Sequence, residues 1–180
     1  MQVAAPPVLP LGTLVHPLRP HADERGSFTE LYRAEWPTGI APIQWNAVQS
    51  NADVLRGVHV HVRHDDYLTV PFGRAIVGLR DLRRGSETEG VSAVVELGSN
   101  QPAAMVIPHG VAHGFYFPEP TLHVYAVSEY WNPADELGCR WDDPDLEIPW
   151  PTETPRVSER DAAAPPLQGL MKQLEAWQPI

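Results

Sequence analysis

From Arg56 to Asp66 the chain reads RGVHVHVRHDD, which places His59, His61, His64, Asp65 and Asp66 within one short segment. Imidazoles change charge near neutral pH and can take or return a proton. Together with carboxylates they are also common ligands of divalent transition metals. If the segment is a strand, alternate residues share a face. His59 and His61 then project together, while Val58, Val60 and Val62 point the other way. A solvated strand with outward polar groups shows the same alternation, so the wider context has to separate the two.

That context is ordered. An acidic residue, Asp65 or Asp66, follows His61, and Gly73 comes after it; further on, PHGVAH carries Pro108, Gly110 and His113. The spacing resembles the two-part metal motif of the cupin barrels. On that resemblance His59, His61, Asp66 and His113 form a candidate site for one divalent ion such as Fe(II), Mn(II), Ni(II) or Zn(II). Two departures stand out: an aspartate replaces the usual glutamate, and Phe117 stands where the second half usually carries asparagine.

The elements that would position these groups are short. Twenty prolines and thirteen glycines punctuate the chain and leave little room for long helices. Between them lie runs such as IQWNAVQSN, YLTVPFG, RAIVGLRDLR, VSAVVELG and LHVYAVSEYW, rich in β-branched and aromatic residues. Such runs at short intervals predict antiparallel strands in a sandwich or barrel. Only PPLQGLMKQLEAW has helical spacing, with Leu167, Leu170, Met171 and Leu174 on one face. The expectation is one all-β domain over residues 1–180, a jelly roll ending in a short helix.

Composition narrows the function. A formal net charge of −10 disfavours nucleic acid as a partner, which calls for a basic surface. No apolar run approaches the ~18 residues of a membrane span, and the N-terminal stretch has no leader-like pattern. The single cysteine, Cys139, cannot form an internal disulfide. A cytoplasmic protein is expected. Lys172 is the only lysine, so a mechanism built on an active-site lysine is disfavoured.

A second resemblance spans far more of the chain. DERGSFTE (23–30), IQWNAVQSNADVLRGVHVH (43–61), VGLRDLRRGS (77–86), IPHGVAHGFYF (107–117), VYAVSEYWNPADELGCRWDDPDLEIPWP (124–151) and VSERDAAAPPL (157–167) occur in that order. Together they resemble the dTDP-4-dehydrorhamnose 3,5-epimerase family. The resemblance implies a cupin-type β-barrel, a homodimer and no cofactor. It also implies a nucleotide-diphosphate sugar as partner, and inversion at C3, C5 or both, beside a C4 ketone.

It further implies roles. His59 matches the general base, Asp161 the carboxylate that orients it, and Tyr125 the acid on the opposite face. Arg25 and Arg56 match diphosphate-binding arginines. Glu30, Gln44, Asn46, His113 and Glu136 match other substrate contacts, Arg160 stands where lysine is common, and Trp131 could stack on the base. Taken singly, Asp161 could be a helix cap, Tyr125 a core residue and Arg25 a surface ion pair.

The chain departs from this family within the opening segment. His61 replaces a usual glutamine, and alignment on Gly73 and DYLTV puts Asp66, with Asp65 as the alternative, where the family carries an active-site lysine. An ionised aspartate would repel an enolate, and losing an electrostatic contact of this kind costs about 2–4 kcal/mol of barrier. Asp66 would have to be neutral, point away, or hold a metal that supplies the Lewis acid. If His59 were itself a ligand, it could not be the base. A metal-dependent cupin enzyme and a catalytically silent sugar-nucleotide binding protein are the alternatives these changes leave open.

Overall fold

A computed structural model describes residues 7–133 and 136–176. Among these residues the predicted runs become twelve strands, of which ten form two antiparallel five-stranded sheets. One sheet has the order β1 (Leu14–Pro17), β9 (Ala103–Ile107), β6 (Asp66–Phe72), β11 (Thr121–Val127), β4 (Gln44–Ser50). The other runs β12 (Leu137–Gly138), β5 (Val54–Val60), β10 (Val111–Phe117), β7 (Arg74–Asp81), β8 (Ser92–Gly98). A separate hairpin pairs β2 (Pro20–Asp23) with β3 (Gly26–Thr29). This is the expected all-β, cupin-like architecture.

Alternation along the strands builds a layered interior. Leu68 and Val70 of β6, Met105 and Ile107 of β9, Val77 and Leu79 of β7 and Phe117 of β10 meet in one buried cluster between the sheets. The opposite faces are covered too. Val58 and Val60 turn away from His59 and pack with Leu146, Ile148, Leu167 and Leu170, the last two from helix α2 (Leu167–Ala176). On the other sheet Tyr67, Val106 and Ala126 lie under Tyr32 and Trp36 of the loop before β4. Burial on both faces explains why the strand sequences read as near-continuous apolar runs. The helical pattern over Leu167, Leu170, Met171 and Leu174 is the face that α2 buries.

One irregularity sets up the site. Between β10 and β5, His113 pairs with His59 and Phe115 pairs with Arg56. One residue, Gly114, thus faces two, Gly57 and Val58, which is a β-bulge. Arg56 and His59 are three positions apart and would lie on opposite faces of a regular strand. The bulge turns both inward. Gly57 has φ of +115°, and a Cβ there would stand 2.8 Å from Gly114 Cα and 2.9 Å from the His113 carbonyl oxygen, so only glycine fits.

Candidate active site

The two sheets open at one end into a cavity of about 550 Å³. Its wall alternates as the strands do: His59 and His61 from β5 and its exit, His113 and Phe115 from β10, His123, Tyr125 and Val127 from β11, and Asp66 and Leu68 from β6.

His59 Nε2 lies 2.8 Å from Asp161 Oδ1. Asp161 is buried at the start of helix α1 (Glu159–Ala162), where the N-cap is Ser158, whose hydroxyl accepts from the Asp161 amide. Asp161 is therefore not itself the cap. Burial pushes its carboxyl upward, but the hydrogen bond and charge of His59, the Gly57 amide and Ser158 outweigh this and hold it below its ordinary value. An ionised Asp161 accepts a hydrogen bond from His59 Nε2–H and leaves Nδ1 as the basic nitrogen.

Tyr125 lies on β11, in the other sheet. Burial, reinforced by the negative charges of Asp66 and Glu136, raises its phenol above the ordinary value despite Arg56. It therefore holds its proton and can donate it. A base held by a carboxylate on one sheet and a protonated phenol on the other suit removal and return of a proton from two sides of one carbon.

Binding groups gather at the mouth. Arg56, Arg156 and Arg160 line the cavity and reach solvent. Arg56 Nε donates to Ser50 Oγ at 3.0 Å. Arg160 Nη2 donates to Glu136 Oε2 at 3.0 Å, and Trp131 Nε1 donates to Glu136 Oε1 at 2.8 Å. Trp131 remains 48% exposed, leaving its ring available for stacking. Gln44 Oε1 accepts from the Trp131 amide, and Gln44 Nε2 donates to Asn46 Oδ1. Asn46 sits opposite Tyr125 in the strand register, so both residues lie on the inner face.

Two expected residues are elsewhere. Arg25 is in the β2–β3 hairpin with its side chain 82% exposed, paired to Asp23, and it does not line the cavity. Glu30 follows the hairpin and pairs with Arg33. The cupin-like ligand set is also rearranged. His59 is engaged by Asp161, and the donors that converge are His61, His64 and Asp66. The physical reason is the exit of β5: the strand ends at Val60, and the following loop folds His64 back so that its ring stacks on His61 at 4.1 Å between centroids. Asp66 is buried, and that burial, aided by Glu136 and Asp65, pushes its carboxyl well above the carboxylate range.

Sequence reasoning did not anticipate His64, Phe115, His123 or Arg156 as parts of the cavity. His123 and Phe115 carry a usable signal, since each lies two residues from an expected site residue on the same strand. His123 packs against Phe117 and Tyr125. Burial, with the nearby charge of Arg56, lowers its pKa to about 4.

Native His123 is therefore neutral, while the unfolded chain protonates it near pH 6.5. Its contribution is complete above that value and is lost as pH falls toward 4. His123→Phe is expected to remove about 2 kcal/mol of the difference in stability between pH 7 and pH 5. Urea unfolding of both proteins at the two pH values measures this, and equal pH slopes would refute it.

The chain is similar to proteins of known kind. Residues 11–169 match the model of the family described as dTDP-4-dehydrorhamnose 3,5-epimerase. A protein of Pseudomonas aeruginosa with that name is 34% identical over 152 residues, covering 79% of this chain and 84% of the relative. The spore coat polysaccharide biosynthesis protein SpsL of Bacillus subtilis is also 34% identical, over 148 residues, covering 79% and 97%.

Among solved structures, the Legionella pneumophila dTDP-6-deoxy-D-glucose-3,5-epimerase in complex with dTDP-4-keto-L-rhamnose superposes with a TM-score of 0.81 at 32% identity, covering 87% of this chain and 88% of that one. A double mutant of ChmJ, a 3'-monoepimerase from Streptomyces bikiniensis in complex with dTDP, gives 0.85 at 26% identity, covering 94% and 89%.

Proposed function

The chain belongs to the dTDP-4-dehydrorhamnose 3,5-epimerase family, and from that membership we propose that it epimerises a dTDP-linked 4-keto-6-deoxy sugar at C3, C5 or both. The observation that carries this reading is the His59–Asp161 pair at 2.8 Å, sharing one cavity with a Tyr125 held in its protonated form.

His59 Nδ1 takes the proton from the carbon beside the ketone, and the C–H electron pair moves into an enolate whose charge rests on the C4 oxygen. Tyr125 O–H then gives its proton to the same carbon from the other face, and the electron pair returns to re-form the ketone with inverted configuration. Exchange with solvent restores the proton to Tyr125 and removes it from His59. The base and acid are both side chains of the protein.

Arg56 and Arg160, joined by Arg156, take the diphosphate, for which guanidinium forks are suited. Trp131 stacks on the base, while Gln44, Asn46, His113 and Glu136 contact sugar and nucleotide. The protein acts as a cytoplasmic homodimer, with residues 1–180 as one epimerase domain. Among the described residues no helix is long and apolar enough to cross a membrane. Support for the dimer comes from the β2–β3 hairpin, which leaves Phe28 65% exposed; an isolated hairpin is marginal in water. A second copy covering it would enclose Phe28 and give Arg25 and Glu30 a site to serve.

The test is incubation with dTDP-4-keto-6-deoxy-D-glucose in deuterium oxide, followed by NMR. Deuterium at C3 or C5 with inversion is expected, and Tyr125→Phe should lower the inverted product by about 10²-fold or more. No deuterium at either carbon would refute the assignment.

A further inference from the structure

The floor of the cavity is built from more imidazole than proton transfer uses. His61, His64, Asp66 and His113 are each less than 10% exposed, and only one of the four is a carboxyl. Asp66 Oδ2 lies 3.7 Å from His61 Nε2 and 3.7 Å from His113 Nε2. One donor atom from each of His61, His64 and Asp66 falls within 4.8 Å of the others. Ion–donor bonds of 2.0–2.2 Å in a tetrahedral site set donors about 3.4 Å apart. The His61–Asp66 edge is already close to that. His64 needs to move by roughly an ångström, and it sits in the loop between β5 and β6.

The ring positions fit as well. His61 Nδ1 lies 3.8 Å from Glu136 Oε1 and Nε2 lies 3.7 Å from Asp66 Oδ2, so a small approach of the Glu136 carboxylate would give the outer contact that orients metal-bound histidines. His113 Nδ1 faces the Val111 carbonyl oxygen at 3.1 Å and likewise turns Nε2 inward.

We propose that His61, His64 and Asp66 bind one divalent transition-metal ion, with His113 beside it and positions left open toward the cavity. Two imidazoles and one carboxylate suit Zn(II), Fe(II), Mn(II) or Ni(II) rather than Mg(II) or Ca(II). His59 is not among the ligands because Asp161 engages it, so base and ion coexist in one cavity. No lysine lines that cavity, as Lys172 lies exposed on α2. Arg160 is held by Glu136, and Arg56 by Ser50. The ion is then the group that takes up charge on the C4 oxygen, a role that rests on the epimerase reading, whereas the site itself does not.

The test uses Co(II) and Zn(II) alone, added to protein prepared without a metal-affinity step and treated with chelator. One ion per chain is expected by elemental analysis, with Co(II) ligand-field absorption. His64→Phe and Asp66→Asn should each weaken binding at least 100-fold while near-UV circular dichroism stays native. Absence of stoichiometric binding, or binding that both variants retain, overturns the site.

Deuterium exchange into the 4-keto sugar is then compared in stripped and reloaded protein. An equal rate in the two overturns the electrophile role. If neither form exchanges, the epimerase reading fails while the binding result stands.

Discussion

Replacing His59 with asparagine lowers kcat for epimerisation by about 10²–10⁴-fold and leaves KM within a few-fold. The reason is a division of labour. His59 is held by Asp161 at 2.8 Å on the inner face of β5, whereas Arg56, Arg156 and Arg160 at the mouth are untouched by the change. Asparagine retains a polar group but has no basic nitrogen near neutral pH. Solvent-deuterium uptake into the 4-keto sugar should fall in parallel with product formation, because both depend on the same proton abstraction. An asparagine variant that exchanges its substrate at the original rate would remove His59 from the mechanism and shift attention to Tyr125.

The second large effect concerns stability. Asp81, at the end of β7, has essentially no exposed side chain and receives five hydrogen bonds. Arg83 donates its backbone N–H and Nε to Oδ1 and Nη2 to Oδ2, while Ser86 and Thr88 hydroxyls donate to Oδ2. Burial alone would raise this carboxyl, but the donors outweigh it and hold it far below the usual range.

Asp81→Ala leaves a guanidinium and two hydroxyls without their acceptor. It should cost about 3–5 kcal/mol, which for a domain of this size lowers Tm by roughly 10 °C. A depressed carboxyl stabilises the fold above its unfolded pKa near 4 and loses that contribution as pH falls further. The gap between wild type and variant should therefore narrow below about pH 4. A thermal melt within 2 °C of wild type at pH 7 would show that the loop from Leu82 to Val91 does not depend on this anchor.

Much of the architecture was legible because both sheet faces are buried, so the strands announce themselves as apolar runs between prolines and glycines. The C-terminal helix was legible because its buried face has helical spacing over Leu167, Leu170 and Leu174. The link between His59 and Asp161 spans 102 residues, and only a resemblance over most of the chain could suggest it.

Spacing also suggested that His61 and Asp66 belong together, but not which histidine joins them. That depends on how the loop after Val60 folds back, and irregular backbone leaves no period to read. His123 was readable in principle, two residues before Tyr125 on one strand. Arg156 was not: it reaches the site through a single parallel bridge to Val54, a contact that no local pattern encodes. Arg25 shows the converse, a residue placed by resemblance in a site that one copy of the chain does not bring to it.

The extra residue in β5 has a consequence for how this scaffold can vary. Strand side chains keep time in steps of two, and the bulge at Gly57 and Val58 inserts a half-step between Arg56 and His59. The proposed phosphate grip and proton abstraction therefore sit on one rail and face one way only because of that extra residue. A point mutation tunes one or the other, whereas smoothing out the bulge at unchanged length would put the two side chains out of phase. Even pairing of all four residues from Arg56 to His59 would drive either Arg56 out to solvent or His59 into the layer beneath α2. How this position pairs, more than the identity of any one side chain, decides whether Arg56 and His59 can face one cavity.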